Sequence, residues 1–352
     1  MSDKKTTYRE HTDMENTLKL RQVLATLPPF CKDYFRAIDT TTTAKTRISY
    51  AYDIRIFFQF LLDENPAFKD YAMTDFTVDV LDQIKAVDLE EYQEYLKLYQ
   101  SGDKTETNGE RGLKRKISAL RSFYAYYYKR EMIHTNPTVL IDVPKIHEKS
   151  IIRLDTDEVA MLLDYIEHCG DTLTGQKRVF YEKTKERDLA IVTLLLGTGI
   201  RVSECVGLDI EDVDFKNNGI KVTRKGGNEM VVYFGPEVEK ALKRYLEVRE
   251  GITPLAGHEH ALFYSAQRKR IGVQAVENMV KKYSRQITTT KKITPHKLRS
   301  TYGTALYQET GDIYLVADVL GHKDVNTTKK HYAALDDARR RLAATAVKLR
   351  EE

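Results

Sequence analysis

KERDLAIVTLLLGTGIRVSE, residues 185–204, holds a helix, its stop signal and the start of the next element. Ala190 to Leu196 is apolar on nearly every side, as in a helix enclosed by its domain rather than lying on its surface. Gly197-Thr198-Gly199 ends that helix, because glycine alone enters the left-handed backbone freely. Arg201 and Glu204 follow at a spacing of three, so one face of a new helical turn carries both charges. Downstream the period changes from helical to alternating. Ile220-Val222 and Val231-Tyr233 flank Lys225-Gly226-Gly227-Asn228, which predicts a β-hairpin over 219–234. Helical spacing returns over 237–249, 273–285, 297–308 and 313–320, and Asp155 opens an earlier helix whose first turn is acidic.

Before residue 145 little alternates. A helical pattern starts near Thr17 and breaks at Pro28-Pro29. Further helices are expected over 45–64, where Ile48, Tyr52, Ile56, Phe57 and Phe60 recur at helical spacing, and over 87–99 and 111–131. Asn136-Pro137 and the mixed stretch from Val143 mark a linker. These boundaries divide the chain into a polar tail (1–16), a helical domain (17–142), a linker (143–153), a second domain (154–334) and a C-terminal helix (335–352). The expected fold class is mainly α with a small antiparallel β-sheet confined to the second domain.

The 352 residues suffice for about two domains. A 41% hydrophobic and 31% charged composition excludes collagen-like and disordered classes. The longest apolar stretch, Leu189 to Gly197, falls short of the roughly 20 residues of a membrane helix. The polar start at Met1 to Asn16 does not read as a signal peptide, and Cys31, Cys169 and Cys205 are too far apart to suggest a disulfide framework or a cysteine metal site. A cytoplasmic protein without membrane, metal or cofactor is the expectation. Net charge is only +4, yet Arg111 to Arg130 holds seven basic residues and no acidic one, and Arg268 to Arg299 ten against Glu277. Such clusters suit phosphates through counterion release, and also suit plain solvated helix faces.

Four segments carry reactive side chains: Arg201 with Glu204, Lys225, His296 with Arg299, and Leu320-Gly321-His322 followed ten residues on by Tyr332. Singly, each fits an ordinary structural residue, such as a capping arginine, an exposed hairpin lysine or a cap histidine. Jointly they supply what phosphodiester transfer needs. Planar guanidinium forks bind the non-bridging oxygens and stay charged. A phenol forms a covalent phosphoryl intermediate. A lysine protonates the departing 5′-oxygen, and imidazoles exchange protons near neutrality.

With these boxes in place, TGIRVSE, VTRKGGNE, TPHKLRSTYGT, LGH and TTKKHYAAL, the sequence resembles the tyrosine recombinases, also called the phage integrase family, over about residues 150–335. Adjoining stretches are most similar to the stand-alone Xer recombinases of streptococcal type. The resemblance implies catalytic roles for Arg201, Lys225, His296, Arg299, His322 and the nucleophile Tyr332, with Glu204 in support and no cofactor. It implies a helical core-binding domain and a mixed catalytic domain that clamp double-stranded DNA bearing an inverted-repeat site. A homotetramer held by exchange of the C-terminal helix, where Leu335, Ala338, Leu342, Ala346 and Leu349 recur, and an accessory or cell-division partner belong to the same picture. Lys45, Arg47, Tyr50, Lys114, Arg115, Lys116 and Arg121 are the expected DNA contacts.

Two positions depart from the family pattern. Ser300 stands where a histidine is usual after the second arginine, and the gap from His322 to Tyr332 is ten, where Xer proteins usually have nine and integrases of mobile elements often have ten. The implied role is chromosome dimer resolution, with integration and excision of a mobile element as its alternative. A type IB topoisomerase would share the phosphotyrosine chemistry, and a non-catalytic DNA-binding regulator would have no use for the tyrosine.

Overall fold

The computed structural model describes residues 7–147, 151–224, 227–322 and 325. Lys225, Tyr332 and the segment 335–352 lie outside these described residues. The chain divides into two compact units, Met1–Glu148 and Lys149–Glu352.

The first unit contains α1 (Tyr8–Leu24), α2 (Cys31–Ala37), α3 (Ala44–Glu64), α4 (Val80–Gln83), α5 (Ala86–Tyr95), a β1–β2 hairpin (Leu98–Ser101 and Lys104–Thr107) and α6 (Glu110–Tyr128). Two expectations are corrected here. The stretch expected to be a polar tail is helical from Tyr8, because Thr7 and Glu10 form a reciprocal capping box that satisfies two helix-start N–H groups. The helix expected over 87–99 stops at Tyr95 and gives way to strand, so this unit is not all-helical. Gly102 at φ +59° takes the first central position of the hairpin's two-residue turn, as a type II′ turn requires. Neither strand buries a face, so the sequence has no apolar alternation to announce them.

The core between these helices is aromatic. Tyr34 and Phe58 meet Phe123 edge to face at 5.3 and 6.2 Å, and Phe57 meets Tyr92 at 5.2 Å. The buried phenols keep partners: Tyr34 donates to Ser122 Oγ (2.9 Å) and Tyr127 to the Phe30 carbonyl (2.8 Å). A charged pair enters this interior. The Asp53 carboxylate, 2% exposed, pairs with Arg115 and with Lys116, 6% exposed, at 3.5 Å. Burial raises the Asp53 pKa and lowers that of Lys116, so desolvation outweighs attraction at both partners. Removing one partner strands the other. Asp53→Ala is expected to destabilise this unit by about 3–5 kcal/mol in urea unfolding, whereas Asp53→Leu combined with Lys116→Met recovers most of that loss.

The second unit comprises α7 (Thr156–His168), α8 (Gly175–Thr198), α9 (Val202–Gly207), a sheet of β3 (Val213–Asp214), β4 (Gly219–Thr223) and β5 (Glu229–Tyr233), then α10 (Pro236–Glu250), α11 (Val273–Ile287), α12 (Pro295–Thr310) and α13 (Ile313–Leu320). The sheet is antiparallel in the order β3-β4-β5, with Ile220 opposite Val232 and Val222 opposite Met230. The apolar end of α8, buried from Leu189 to Leu195, is the helix on which α7, α10 and α12 pack. Asp188 at the start of that stretch is also buried, with Arg187 and the Tyr283 hydroxyl (2.9 Å) on its two oxygens. Cys31, Cys169 and Cys205 are all buried and reduced. Among the described residues no helix is long and apolar enough to cross a membrane.

Candidate active site

The site starts where α8 stops. Gly199 caps the helix in the left-handed region at φ +63°, and its missing Cβ matters twice. A methyl group there would lie 2.3 Å from the Tyr302 ring and 2.9 Å from Leu320. Gly199→Ala is therefore expected to cost about 2–4 kcal/mol, combining left-handed strain with overpacking, and to show as a lowered denaturation midpoint.

The sharp turn at Gly199 leaves Arg201 as the residue that caps α9. Glu204, three positions on, accepts the Arg201 backbone N–H (2.8 Å) and the Arg201 Nη1 (2.8 Å). The carboxylate thus fixes both ends of the arginine. Glu204 is 4% exposed by side chain and Arg201 34%, so the guanidinium is gripped from beneath while part of it faces outward.

The other end of the site is the end of α13. Its last turn closes in a Schellman motif: Gly321 N–H reaches the Asp318 carbonyl (2.7 Å) and His322 N–H the Ala317 carbonyl (2.9 Å). Gly321 takes φ +62°, which only glycine adopts without strain, and the motif fixes where His322 leaves the helix. The carbonyls at a helix C-terminus lack intrahelical donors and carry the negative end of its dipole. Arginines satisfy them here. Arg201 Nη2 donates to Gly321 O (3.2 Å), while Arg299 donates to Leu320 O and, through its other terminal nitrogen, to Gly199 O. Arg299 is 4% exposed and joins the two glycine turns.

His296 lies one turn before Arg299, in the first turn of α12, where Pro295 occupies the opening position and the helix dipole favours an anion. The imidazole is exposed. Ser300 donates to the His296 carbonyl (3.1 Å), an i−4 bond within its own helix, so the unusual serine is satisfied locally.

Arg201 and Arg299 are thus tied to the carbonyls at the ends of α8 and α13, with His296 one turn before Arg299 and His322 directly after Gly321. Arg224 was missed by sequence reasoning. Residues 220, 222 and 224 share one parity, and Ile220, Val222 and Arg224 are all buried. That parity is the available signal, and it marks an arginine at an inward position.

The matches to known proteins bear directly on this arrangement. The Phage integrase family profile matches residues 152–339, more than half of the chain and the whole of the arginine-lined turns. The chain belongs to the phage integrase family. It is similar to tyrosine recombinase XerC of Caldanaerobacter subterraneus subsp. tengcongensis, 32% identical over 92% of this chain and 88% of that protein. It is also similar to tyrosine recombinase XerS of Lactococcus lactis subsp. cremoris, 31% identical over 90% of this chain and 93% of that one. In fold it resembles the XerH site-specific recombinase crystallised on its difH substrate, with TM-score 0.61 and 21% identity over 87% of this chain and 80% of that one. The chain is thus a tyrosine recombinase, similar over most of its length to Xer proteins.

For this recombinase, the DNA contacts expected in the first unit separate by environment. Lys45 on the first turn of α3 and Lys114 on α6 are exposed, and Arg115 is half exposed although ion-paired. Lys116 is buried on Asp53, and Arg121 spends its guanidinium on the Thr138 (3.0 Å) and Ile141 (2.7 Å) carbonyls. Arg47 pairs with Asp39 with only 13% of its side chain exposed, and Tyr50 packs against the core. These four have structural work that a sequence count of basic residues does not reveal.

Proposed function

We propose that the chain cuts and rejoins DNA at a defined site through a tyrosyl ester. The Tyr332 oxygen attacks the scissile phosphorus and its proton passes to an imidazole. The bond from phosphorus to the 5′-oxygen breaks, and Lys225 protonates the departing alkoxide. Arg201 and Arg299 hold the non-bridging oxygens while charge develops on them. A 5′-hydroxyl of the partner duplex then attacks the 3′-phosphotyrosyl ester and frees the tyrosine. One phosphate ester is exchanged for another, so no nucleotide hydrolysis is needed. Two such rounds pass through a Holliday junction, within a tetramer held by the C-terminal helices.

The observation that carries this reading is the convergence of Arg201 and Arg299 on the adjacent carbonyls of Leu320 and Gly321, directly before His322. Two guanidiniums anchored to one helix end are preorganised for one small anion, which plain DNA binding does not call for. Lys45 and Lys114, both exposed, are the phosphate contacts of the first unit in this reading, with the half-exposed Arg115, paired to Asp53, beside them.

Covalent capture tests it. The protein is incubated with a random-sequence library of duplexes carrying a single nick, and complexes surviving SDS are sequenced. The expected result is a protease-sensitive adduct enriched for one inverted-repeat sequence. Unselective adducts with relaxation of supercoils would instead mark a topoisomerase, and their complete absence a binding protein.

Similarity to XerS supports the Xer-type reading; in that reading the chain resolves chromosome dimers in the cytoplasm, alone or with a cell-division partner. The ten-residue step from His322 to Tyr332 favours a second reading, an integrase of a mobile element. The captured sequence separates them: a chromosomal site beside the gene supports resolution, and the ends of a mobile element support integration.

A further inference from the structure

Arg224 is 8% exposed and tied down on every terminal nitrogen. Nη1 donates to Leu320 O (3.0 Å), Nη2 to Val319 O (2.7 Å), and Nε points to the Met230 sulfur on β5 (2.8 Å). Nη1 also lies 3.5 Å from Glu204 Oε2, while the other oxygen of that carboxylate holds Arg201. The fit is tight. A Cβ on Gly321 would lie 2.9 Å from the guanidinium carbon, so this cap is glycine for two reasons, its left-handed φ and the arginine stacked against it.

A buried arginine is a poor way to fill space. Burial works against its charge, and an apolar side chain of similar volume often serves a core as well or better. What the planar fork supplies is direction: two adjacent carbonyls and one carboxylate held at fixed angles. The groups it fixes are the anchors of the proposed phosphate clamp. Leu320 O also receives Arg299, and Glu204 also receives Arg201.

We propose that Arg224 is a positioning residue for strand cleavage, locking the Glu204 carboxylate and the Val319–Leu320 carbonyls so that the Arg201 guanidinium meets the scissile phosphate in a single orientation. It acts through Arg201 and does not touch the DNA. The inference rests on the reading of Arg201 as a phosphate ligand.

The test uses the full chain and the nicked duplex recovered by covalent capture, made in two forms. One has the ordinary scissile phosphate. The other has a methylphosphonate there, in which a non-bridging oxygen is replaced by methyl and the negative charge is gone. Single-turnover adduct formation and duplex affinity are measured for the unaltered protein, Arg224→Met and Arg201→Ala. For Arg224→Met, the expected result is unchanged affinity with cleavage of the phosphodiester slowed about 10- to 100-fold, the scale of a misplaced catalytic group. On the methylphosphonate its deficit shrinks to about threefold or less, as does that of Arg201→Ala, because a neutral group no longer draws on a well-aimed guanidinium. An Arg224→Met protein as fast as its parent overturns the inference. So does an equal loss on both duplexes, which marks an effect on folding alone. Should Arg224→Met fail to fold, Arg224→Lys carries the same comparison, since it keeps the charge beside Glu204 without the planar fork. An unaltered protein that captures no duplex from the nicked library overturns the tyrosyl-ester reading itself, whereas an active parent with an unaffected Arg224 variant overturns this inference alone.

Discussion

Tyr332→Phe is expected to remove covalent DNA capture altogether while leaving duplex affinity within about twofold, since one hydroxyl accounts for little of a binding energy spread over many phosphates. The change deletes one oxygen, and that oxygen is the atom that would bond to phosphorus. Removing the nucleophile of a covalent enzyme costs on the order of a million-fold in turnover, because the remaining groups have no reaction to assist. A rate reduced only tenfold would point to another nucleophile. The nearest alternative in sequence, His331, would form a phosphoramidate. That bond is labile in acid, whereas a tyrosyl phosphate survives it, so acid treatment of any residual adduct identifies the atom. Gel retardation and SDS-resistant capture on the same duplex check both halves of the prediction.

What the sequence made legible follows from which forces leave a periodic trace. The buried end of α8, the Gly199 stop and α13 were all readable because apolar runs and glycine caps are local signals, and α13 forms over Ile313–Leu320 as expected. The β4–β5 hairpin was readable because one face is buried, giving alternation. The β1–β2 hairpin was not, because all its residues but Tyr99 are exposed and its pairing depends on backbone hydrogen bonds and one glycine turn. The start of α1 was hidden for a related reason: Thr7 and Glu10 begin the helix by capping within a stretch too polar to show a stripe.

In the site, the residue types were legible and their attachments were not. Nothing local in TPHKLRS tells that Arg299 spans from Gly199 to Leu320, a connection across about a hundred residues of chain. The same blindness hid the internal partners of Lys116 and Arg121, which were expected as DNA contacts. A basic side chain facing an internal carboxylate or carbonyl has the same letter as one facing solvent, and only the fold distinguishes them.

Arg299 carries the second large effect, because it braces the fold and, in the proposed mechanism, also holds the phosphate. Arg299→Ala leaves the Gly199 and Leu320 carbonyls without its two bonds, in a place where Arg299 itself is 4% exposed. A buried polar group deprived of its partner costs about 1–3 kcal/mol, and because Leu320 O keeps Arg224 the expected loss in unfolding free energy is about 1–3 kcal/mol, arising at Gly199 O. Cleavage falls further than stability explains. Removing one preorganised donor from a developing oxyanion costs about 100- to 1,000-fold in rate. Arg299→Lys separates the two contributions. The ammonium keeps the charge and reaches one carbonyl, so part of the stability returns, but it does not bridge both turns and still face a phosphate as the planar fork does. Cleavage by the lysine variant should therefore remain depressed by at least about tenfold under conditions where it is fully folded. Urea titration paired with single-turnover cleavage reads both quantities on the same preparations. If the lysine variant regains stability and rate in equal proportion, Arg299 is only a brace between the two turns, and the phosphate clamp reduces to Arg201.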